Sequence, residues 1–304
     1  MNVAENQRSK IVLSDKKQLI FKATAHAEYI RIKFGIDQRA PIDPVSIAEQ
    51  SGCEIRYLSL PSLEGMYSPK PHAVIFIGSE RPAGRLAFTC MHELGHHEFK
   101  HGIRVDEIKN SILSDANDPR EFVADVFAAN LLMSKTSILY ALKTRGLDPQ
   151  KLEPLDVFRL SSFFGVGYTT IIDHMTSMLR MLNQYQQNLL KKIKAKDLKA
   201  QFGGTPQSEV IIADSFWQSR AVDMSVGDIL VLHKGAVVED SRYMIKKDLV
   251  DGQPTYIACS RGYTRAFHES GGWAVNIRIA PKQYEGLAQY RFLDDPEEDF
   301  AWKK

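Results

Sequence analysis

Cysteine is scarce in this chain of 304 residues, and the three that are present, Cys53, Cys90 and Cys259, are far apart and odd in number. A disulfide framework needs an even set, so the pattern suits a reducing cytosol. No apolar run approaches the about 18 residues of a membrane span, and the polar residues 1–10 lack the apolar core of a secretory signal. We therefore expect a cytoplasmic protein without a membrane partner.

An excess of charge of one sign is also absent. The chain has 39 Lys and Arg against 37 Asp and Glu, for a net charge of +2. This overall balance does not argue for binding of nucleic acid or membrane. Hydrophobic residues make up 44% and charged residues 25% of the chain, as in a globular protein that buries a core. The length favours two or three domains.

The spacing of apolar and turn residues predicts alternating helices and strands in the first half of the chain. We expect a helix that Gly35 ends, a short helix that Asp43 caps, and a later helix that begins after Asp118. The predicted elements are helix 14–34, helix 44–51, strand 53–60, turn 61–65, strand 72–77, helix 83–99, loop 102–118, helix 119–133, a helical stretch 134–182 with breaks at 146–149 and 165–167, and a polar helix 184–202.

The segment His92-Glu93-Leu94-Gly95-His96 lies within the predicted helix 83–99. A helix advances 3.6 residues per turn, so His92 and His96 share a face and can point at one metal ion. Glu93 is then positioned to act on a water at that metal. The alternative is a surface helix whose histidines are incidental.

A catalytic zinc usually takes three protein ligands, so one more must come from elsewhere. The metzincin spacing is excluded, because Phe99 and Gly102 occupy the positions of its glycine and third histidine. His97 points about 100° away from its neighbour on the helix. His101 follows in the frayed helix end or the loop, so neither histidine is favoured as the third ligand.

Glu121 is the better candidate, because it lies on an otherwise apolar helix and shares a face with Asp125. Buried carboxylates need partners. A metal would serve Glu121, and the outer N–H of a ligating histidine would serve Asp125. The alternative is a capping box in which Asp118 is the N-cap and Glu121 the third helical residue. That alternative leaves Asp125 unexplained.

The chemistry of such a site requires a base and an oxyanion donor. Zinc lowers the pKa of water toward about 7 and polarises a carbonyl, while Glu93 takes the proton and passes it to the leaving amine. Tyr67 and His72 are candidates for contacting the oxyanion or the substrate, and their alternative role is as ordinary turn and edge residues. The strand 72–77 could offer a free edge to an extended peptide.

Two segments resemble the signatures of the ImmA/IrrE metallopeptidases. Residues 85–96, followed by His101, resemble the family's signature helix, and residues 121–133 resemble its second signature. The short helix, glycine and strand over 44–60 and the segment 65–67 also fit, and the resemblance covers roughly residues 14–180. Ser134 stands where a proline is common, and Cys90 stands where an aliphatic residue is usual; we favour a core position for Cys90 over a ligand or redox role.

The resemblance implies a gluzincin-like peptidase with one Zn²⁺ per chain. By motif position His92, His96 and Glu121 are the ligands and Glu93 is the general base. Members of the family are cytoplasmic and typically cleave helix-turn-helix repressors, which derepresses mobile elements, stress-response genes or phage-defence operons. The competing hypothesis is a non-proteolytic repressor- or DNA-binding regulator whose zinc site is structural.

Residues 160–172 resemble a helix-turn-helix, but only Arg159 is at hand to contact phosphate, so we favour packing on the peptidase core over DNA binding. The predicted fold class is α+β. It comprises a mainly helical, zincin-like domain with a small sheet over 1–135, a helical region over 136–203, and a β-rich domain over 204–304, with β-like runs at 210–213, 229–233, 256–259 and 273–279.

The β-rich domain has basic residues, and some relatives carry a GAF-type sensor at this place. We hypothesise that it senses nucleic acid or a small ligand and gates the peptidase, with a structural or dimerising module as the alternative. The basic residues are Arg242, Lys246, Lys247, Arg261, Arg265 and Arg278.

Overall fold

The computed structural model describes residues 13–107, 118–218 and 220–293, and the fold is α+β with a β-rich C-terminal part. The elements of the N-terminal part follow the predicted order closely. They are α1 (Leu13–Lys33), α2 (Pro44–Gln50), β1 (Glu54–Leu58), β2 (Leu63–Ser68), β3 (Val74–Gly78), α3 (Ala83–Glu98), β4 (Arg104–Glu107) and α4 (Pro119–Leu132). The predicted loop 102–118 is wrong over residues 104–107, which form β4, and its residues 108–117 lie outside the described residues.

Local capping signals explain where these helices begin and end. The side chain of Asp43 accepts a hydrogen bond from the Ser46 amide at the start of α2, and Asp118 accepts one from the Arg120 amide at the start of α4. In both helices a proline occupies the first helical position, where no amide hydrogen is needed. Gly35 follows α1 with a φ of +63°, as predicted for a helix stop.

The first sheet has three strands that were not predicted, β2, β4 and Gly286–Leu287 (β13), and they move its free edge. Its strand order is β13-β1-β3-β2-β4, in which β13 comes from the C-terminal part. The predicted turn 61–65 is wrong, because Leu63–Ser68 forms β2 with alternating buried and half-buried positions. The predicted strand 72–77 is β3, which lies between β1 and β2, so its expected free edge is wrong too. Within the described residues, β4 lies at one edge of this sheet.

The middle region is helical, with its predicted breaks confirmed at Gly146 and Gly165, both near φ +65°. The single predicted helix 184–202 is wrong, because the chain forms two helices that separate at Ile193. Arg159, the candidate phosphate contact, lies 3.5 Å from Asp156. The elements are α5 (Lys135–Thr144), a 3₁₀ turn (Pro149–Lys151), α6 (Pro154–Phe164), α7 (Tyr168–Asp173), a π-helical turn (His174–Met178), α8 (Gln184–Lys192) and α9 (Ala195–Gln201).

The C-terminal part forms two four-stranded sheets, ordered β5-β7-β10-β9 and β6-β12-β11-β8. The predicted β-like runs correspond to β5, β7, β10 and β12, and the other strands were not predicted. The strands are β5 (Val210–Ala213), β6 (Val222–Ser225), β7 (Ile229–Leu232), β8 (Ala236–Val238), β9 (Met244–Val250), β10 (Gln253–Ala258), β11 (Gly262–His268), β12 (Ala274–Ala280) and β13 (Gly286–Leu287), followed by a 3₁₀ turn (Ala288–Tyr290).

The C-terminal part is attached to the first sheet through β13, which pairs antiparallel with β1. Arg145 forms an ion pair with Asp214 at 2.7 Å, and the ring of Trp217 packs edge-on against Phe163 at 5.9 Å. Buried apolar residues from both parts belong to one continuous core. The stretch Pro119–Thr144 is long and apolar enough to cross a membrane by length and composition alone, but 72% of its apolar 18-residue window is buried, as in the core helix of a globular protein.

Candidate metal centre

The two motif histidines project from α3 toward α4, and the contact between these helices depends on Gly95. His92 is 7% exposed, while Glu93 and His96 are fully buried. A Cβ atom on Gly95 would lie 3.0 Å from the Cα atom of Ala124, which is closer than side chains normally pack. The absence of a side chain at this position therefore lets α4 approach α3 closely enough to bring Glu121 to the histidines.

Three side chains offer ligand atoms that converge on one point. The Nε2 atoms of His92 and His96 are 3.0 Å apart. The Glu121 carboxylate has one oxygen 3.3 Å from Nε2 of His92 and the other 3.6 Å from Nε2 of His96. Ligands about 2.0–2.1 Å from a tetrahedral zinc lie about 3.3–3.4 Å from one another, so the spacing fits a zinc-sized ion. Among the described residues, His92, His96 and Glu121 thus form a group that could hold one metal ion.

The charge of Glu121 is adapted to this position. Burial raises the pKa of the Glu121 carboxyl, but hydrogen bonds and electrostatic attraction from His92 and His96 outweigh burial. The net result holds the pKa well below its ordinary range. Glu121 is therefore a carboxylate at neutral pH, which is the form that ligates a metal.

Each histidine also has a partner on its outer nitrogen. Nδ1 of His92 donates to Oδ1 of Asp125 at 2.8 Å, one turn along α4 from Glu121. Nδ1 of His96 is hydrogen-bonded to Nδ1 of His101 at 3.0 Å. Such bonds fix the ring orientation and leave Nε2 directed at the metal. The Asp125 contact was predicted from the sequence, whereas the orienting role of His101 was missed.

The chain reversal at the end of α3 explains how His101 reaches back. Lys100 adopts a left-handed conformation with φ of +58°, and the His101 amide donates to the carbonyl of His96 at 3.0 Å. This is the geometry of a helix C-terminal turn, usually formed by glycine. The periodicity of a helix cannot predict the position of a residue that follows such a turn. In the sequence, only the resemblance to the family signature indicated His101.

The general-base candidate Glu93 lies against the backbone of β2. A Cβ atom on Gly65 would be 2.5 Å from Oε1 of Glu93 and 2.5 Å from Cγ2 of Thr89. Any side chain at position 65 would thus collide with the carboxylate. Gly65 belongs to the segment that resembled the family signature, and the structure shows the space that its lack of a side chain provides.

The two candidate oxyanion residues have partners other than the metal group. The hydroxyl of Tyr67 is hydrogen-bonded to Nδ1 of His97 at 2.9 Å, and Tyr67 is 4% exposed. The side chain of His72 is 58% exposed, with Nε2 3.5 Å from Glu54. The structure therefore does not bring either residue together with the three candidate ligands through these contacts, and their role at the site stays a prediction.

The cysteines near the site belong to the core. The Cys90 thiol is 1% exposed and lies 3.8 Å from the carbonyl of Pro44. Burial raises the pKa of Cys90 well above its ordinary value and that of Cys53 to about 12. Both thiols are thus protonated at neutral pH, which disfavours metal ligation and redox reactivity.

Comparison with known proteins agrees with this geometry over one part of the chain. A family profile described as Peptidase_M78, IrrE N-terminal-like domain, matches residues 48–175. No curated protein matches the chain. The matched segment contains α3, α4 and all three residues of the candidate metal group, and it ends before the C-terminal sheets, where the expected GAF likeness stays a prediction. Residues 48–175 therefore form an IrrE N-terminal-like domain, the domain of the peptidase family that the two signature segments of this chain resemble.

Proposed function

We propose that this protein is a cytoplasmic, zinc-dependent endopeptidase that cleaves a helix-turn-helix transcriptional repressor. The observation that carries the enzymatic part is the meeting of His92, His96 and Glu121 at zinc-like spacing beside the buried Glu93. Three protein ligands are the number that catalytic zinc sites use, whereas structural sites are closed by four. A glutamate with no ligand role but next to the ligands suits a general base.

The proposed chemistry divides between the metal and the protein. Zinc, when bound, supplies a Lewis acid that activates water near neutral pH and polarises the scissile carbonyl. Glu93 accepts the proton of the attacking water and delivers it to the leaving amine. Asp125 and His101 hold the two imidazoles in place through their outer nitrogens. Gly65 keeps the space beside the Glu93 carboxylate free of side-chain atoms.

The edge strand β4 is the proposed docking site for the substrate backbone. β4 pairs with β2, with Val105 opposite Met66, and β2 passes beside Glu93. An extended peptide that adds to the outer side of β4 would gain main-chain hydrogen bonds without a requirement for particular side chains. This replaces the strand 72–77 as the expected docking edge.

The choice of a repressor as substrate rests on the family. Residues 48–175 match an IrrE N-terminal-like domain, and the resemblance to ImmA/IrrE peptidases implies substrates of that class. The free cysteines and the buried apolar stretch agree with a cytoplasmic protein. The competing hypothesis, a regulator with a structural zinc, leaves Glu93 without a purpose.

The Glu93→Gln variant separates the two hypotheses. The assay is cleavage of a purified candidate helix-turn-helix repressor, with zinc content measured in parallel. We expect cleavage to fall by about 100- to 10,000-fold while one zinc per chain remains, because only the base is lost. The Glu98→Gln variant on the same helix, which removes a partner of His26, should cleave normally. Full activity of Glu93→Gln would refute the peptidase mechanism.

The repressor assignment needs its own control. Zinc-loaded protein should cleave the repressor at one or a few sites and leave unfolded casein intact. A chelator should abolish cleavage, and added zinc should restore it. If casein is degraded as fast as the repressor, the enzyme assignment stands and the repressor assignment fails.

A further inference from the structure

A cavity lies away from the metal group, where α3, the turn between α6 and α7, and the C-terminal strands meet. Its volume is about 310 Å³. Pockets that hold small ligands range from roughly 300 to 1,000 Å³, so this cavity can enclose a compact metabolite. The walls come from all three parts of the chain: Gly84 and Phe88 from α3, the stretch 165–170, and Arg220 with its neighbours.

The charged groups on the cavity wall are paired, with one exception. Arg85 forms an ion pair with Glu64 at 2.5 Å, and Lys199 forms one with Glu209 at 2.6 Å. The third acidic residue, Asp223, accepts two hydrogen bonds from the Arg278 guanidinium. These pairs neutralise every carboxylate of the wall.

Arg220 is the exception. Across residues 13–107, 118–218 and 220–293, its guanidinium has no ion pair, and its Nε atom is buried without a hydrogen-bond partner. The guanidinium lies 5.2 Å from the ring centroid of Trp217. Because this ring is fully buried, it restricts the position of the guanidinium. Burial lowers the pKa of Arg220, although the nearby Asp223 and Asp43 act in the opposite direction.

A guanidinium whose Nε atom is buried and that has no ion-paired carboxylate is costly for a protein to maintain. The terminal nitrogens of Arg220 lie against Gly165, where a Cβ atom would be 2.5 Å from Nη1. Glycine at this turn thus leaves room for the guanidinium at the cavity wall. Arginine is the side chain that binds phosphate and carboxylate groups in a planar, two-pronged manner.

We propose that this cavity binds a small metabolite that carries an oxyanion, phosphate or carboxylate, and that Arg220 is the residue that holds the anionic group. The remaining volume accommodates the rest of the ligand beside Phe88, Phe158 and Val166. The proposal concerns binding alone, and it does not depend on the proposed peptidase activity.

The position of the cavity links its occupant to the metal centre. Phe88 lines the cavity one helical turn before His92 on α3. The backbone of Gly84 lies so close to the α6–α7 turn that a Cβ atom would be 2.7 Å from the amide nitrogen of Gly167. A ligand that fills the cavity therefore braces α3, the helix that carries both histidines, against the C-terminal part of the chain.

Binding is tested on the full chain after metal removal, with inorganic phosphate and acetate as the two probes at constant ionic strength. Calorimetry measures affinity, and tryptophan fluorescence reports on Trp217 next to Arg220. We expect saturable binding of at least one probe, and which probe binds more tightly distinguishes the two oxyanions. Arg220→Gln should weaken binding at least tenfold, and Arg220→Lys should weaken it less, because the charge remains. The control Arg159→Gln, which alters a cation outside the cavity, should bind like the wild type.

A second pair of variants guards against misfolding of the Arg220 variants. Thr169 is exposed and lines the cavity, so Thr169→Glu places a carboxylate that competes for Arg220, whereas Thr169→Gln adds the same bulk without charge. Only Thr169→Glu should weaken binding tenfold or more. Absence of saturable binding to the wild type, or equal affinities in wild type, Arg220→Gln and Thr169→Glu, would overturn the proposal.

Discussion

The candidate metal centre and the Arg220 cavity bury charge in opposite ways. At the metal centre the Glu121 carboxylate faces two imidazoles, and a further side chain supports each imidazole from behind. In the cavity the Arg220 guanidinium has an aromatic ring beside it but, within the described part of the chain, no ion-paired carboxylate. The first arrangement holds its ligands preformed, and the second lacks one partner. The comparison indicates that side chains whose hydrogen-bond and charge partners are all present suit a permanently bound ion. A charged side chain without such a partner suits a ligand that binds and dissociates.

The largest effect is expected from replacing the candidate metal ligand Glu121. Glu121→Gln removes the anionic ligand while it keeps the side-chain shape. Loss of a direct ligand should exceed the about 10- to 100-fold that loss of an outer partner costs, so we expect zinc affinity to fall by more than about 100-fold. Competition with a fluorescent chelator measures it. Glu98→Gln is the control, and unchanged affinity in Glu121→Gln would remove this residue from the site.

The outer partners should matter less than the ligand. Asp125→Asn and His101→Phe each leave one imidazole without its support, so we expect zinc affinity to fall by about 10- to 100-fold in each variant. Tyr67→Phe, which removes a hydroxyl bound to His97 instead of a ligand, should leave affinity unchanged. A loss in Tyr67→Phe equal to that in Asp125→Asn would show that the outer partners are not specific.

The buried imidazole of His174 extends the comparison, because it avoids the cost of a buried charge by remaining neutral. His174 is 4% exposed and contacts the carbonyl of Met133 at 2.9 Å; burial lowers its pKa to about 4, although that hydrogen bond acts in the opposite direction. Between about pH 6.5 and 4 the unfolded chain binds a proton that the folded chain does not. The stabilisation is therefore present above pH 6.5 and is lost as the pH falls toward 4.

The expected size is about 2 kcal/mol of unfolding free energy lost at pH 5 relative to pH 7. Urea unfolding of the metal-free protein at several pH values measures it. His174→Gln keeps a donor for the Met133 carbonyl but does not titrate, so its stability should depend less on pH by that amount. Parallel pH profiles of wild type and variant would contradict the assignment.

The smallest effect is expected from the helix contact that assembles the shell. Gly95→Ala inserts a methyl group 3.0 Å from Ala124, so α3 and α4 must separate. Overpacking of this kind costs about 1–3 kcal/mol of stability, and we expect zinc affinity to fall roughly tenfold as Glu121 moves. Gly84→Ala crowds the other end of α3 against Gly167 and should destabilise the protein without changing zinc affinity. Equal zinc affinities in the two variants would show that Gly95 does not set the ligand geometry.

The metal group was predictable because its geometry is local. His92 and His96 are one turn apart on a helix, and the apolar surroundings of Glu121 and Asp125 indicated that both need partners. The outer partner His101 was not predictable, since it depends on a left-handed Lys100 that returns the chain. Helix starts at Asp43 and Asp118 were predicted from their caps.

The missed features arise from contacts between residues far apart in sequence. β2 contains Glu64 and Gly65, which indicate a turn locally, and it is a strand because β3 and β4 pair with it. The pairing of β13 with β1 and the contact of Arg278 with Asp43 join the C-terminal part to the peptidase domain, and no local pattern signals either of them. In the sequence, nothing distinguishes Arg220 from a surface arginine, because the cavity that it lines is formed by residues far apart in the chain.

X-ray absorption spectroscopy of the zinc-loaded full chain tests the central claim most directly. The three-ligand centre predicts one zinc per chain that is bound by two imidazoles and by oxygen ligands, without sulfur. The imidazole contribution should fall in His92→Phe, and the spectrum should be unchanged in Glu93→Gln, because Glu93 acts as a base and not as a ligand. A sulfur neighbour, a third imidazole, or a changed ligand set in Glu93→Gln would contradict the metal centre described above.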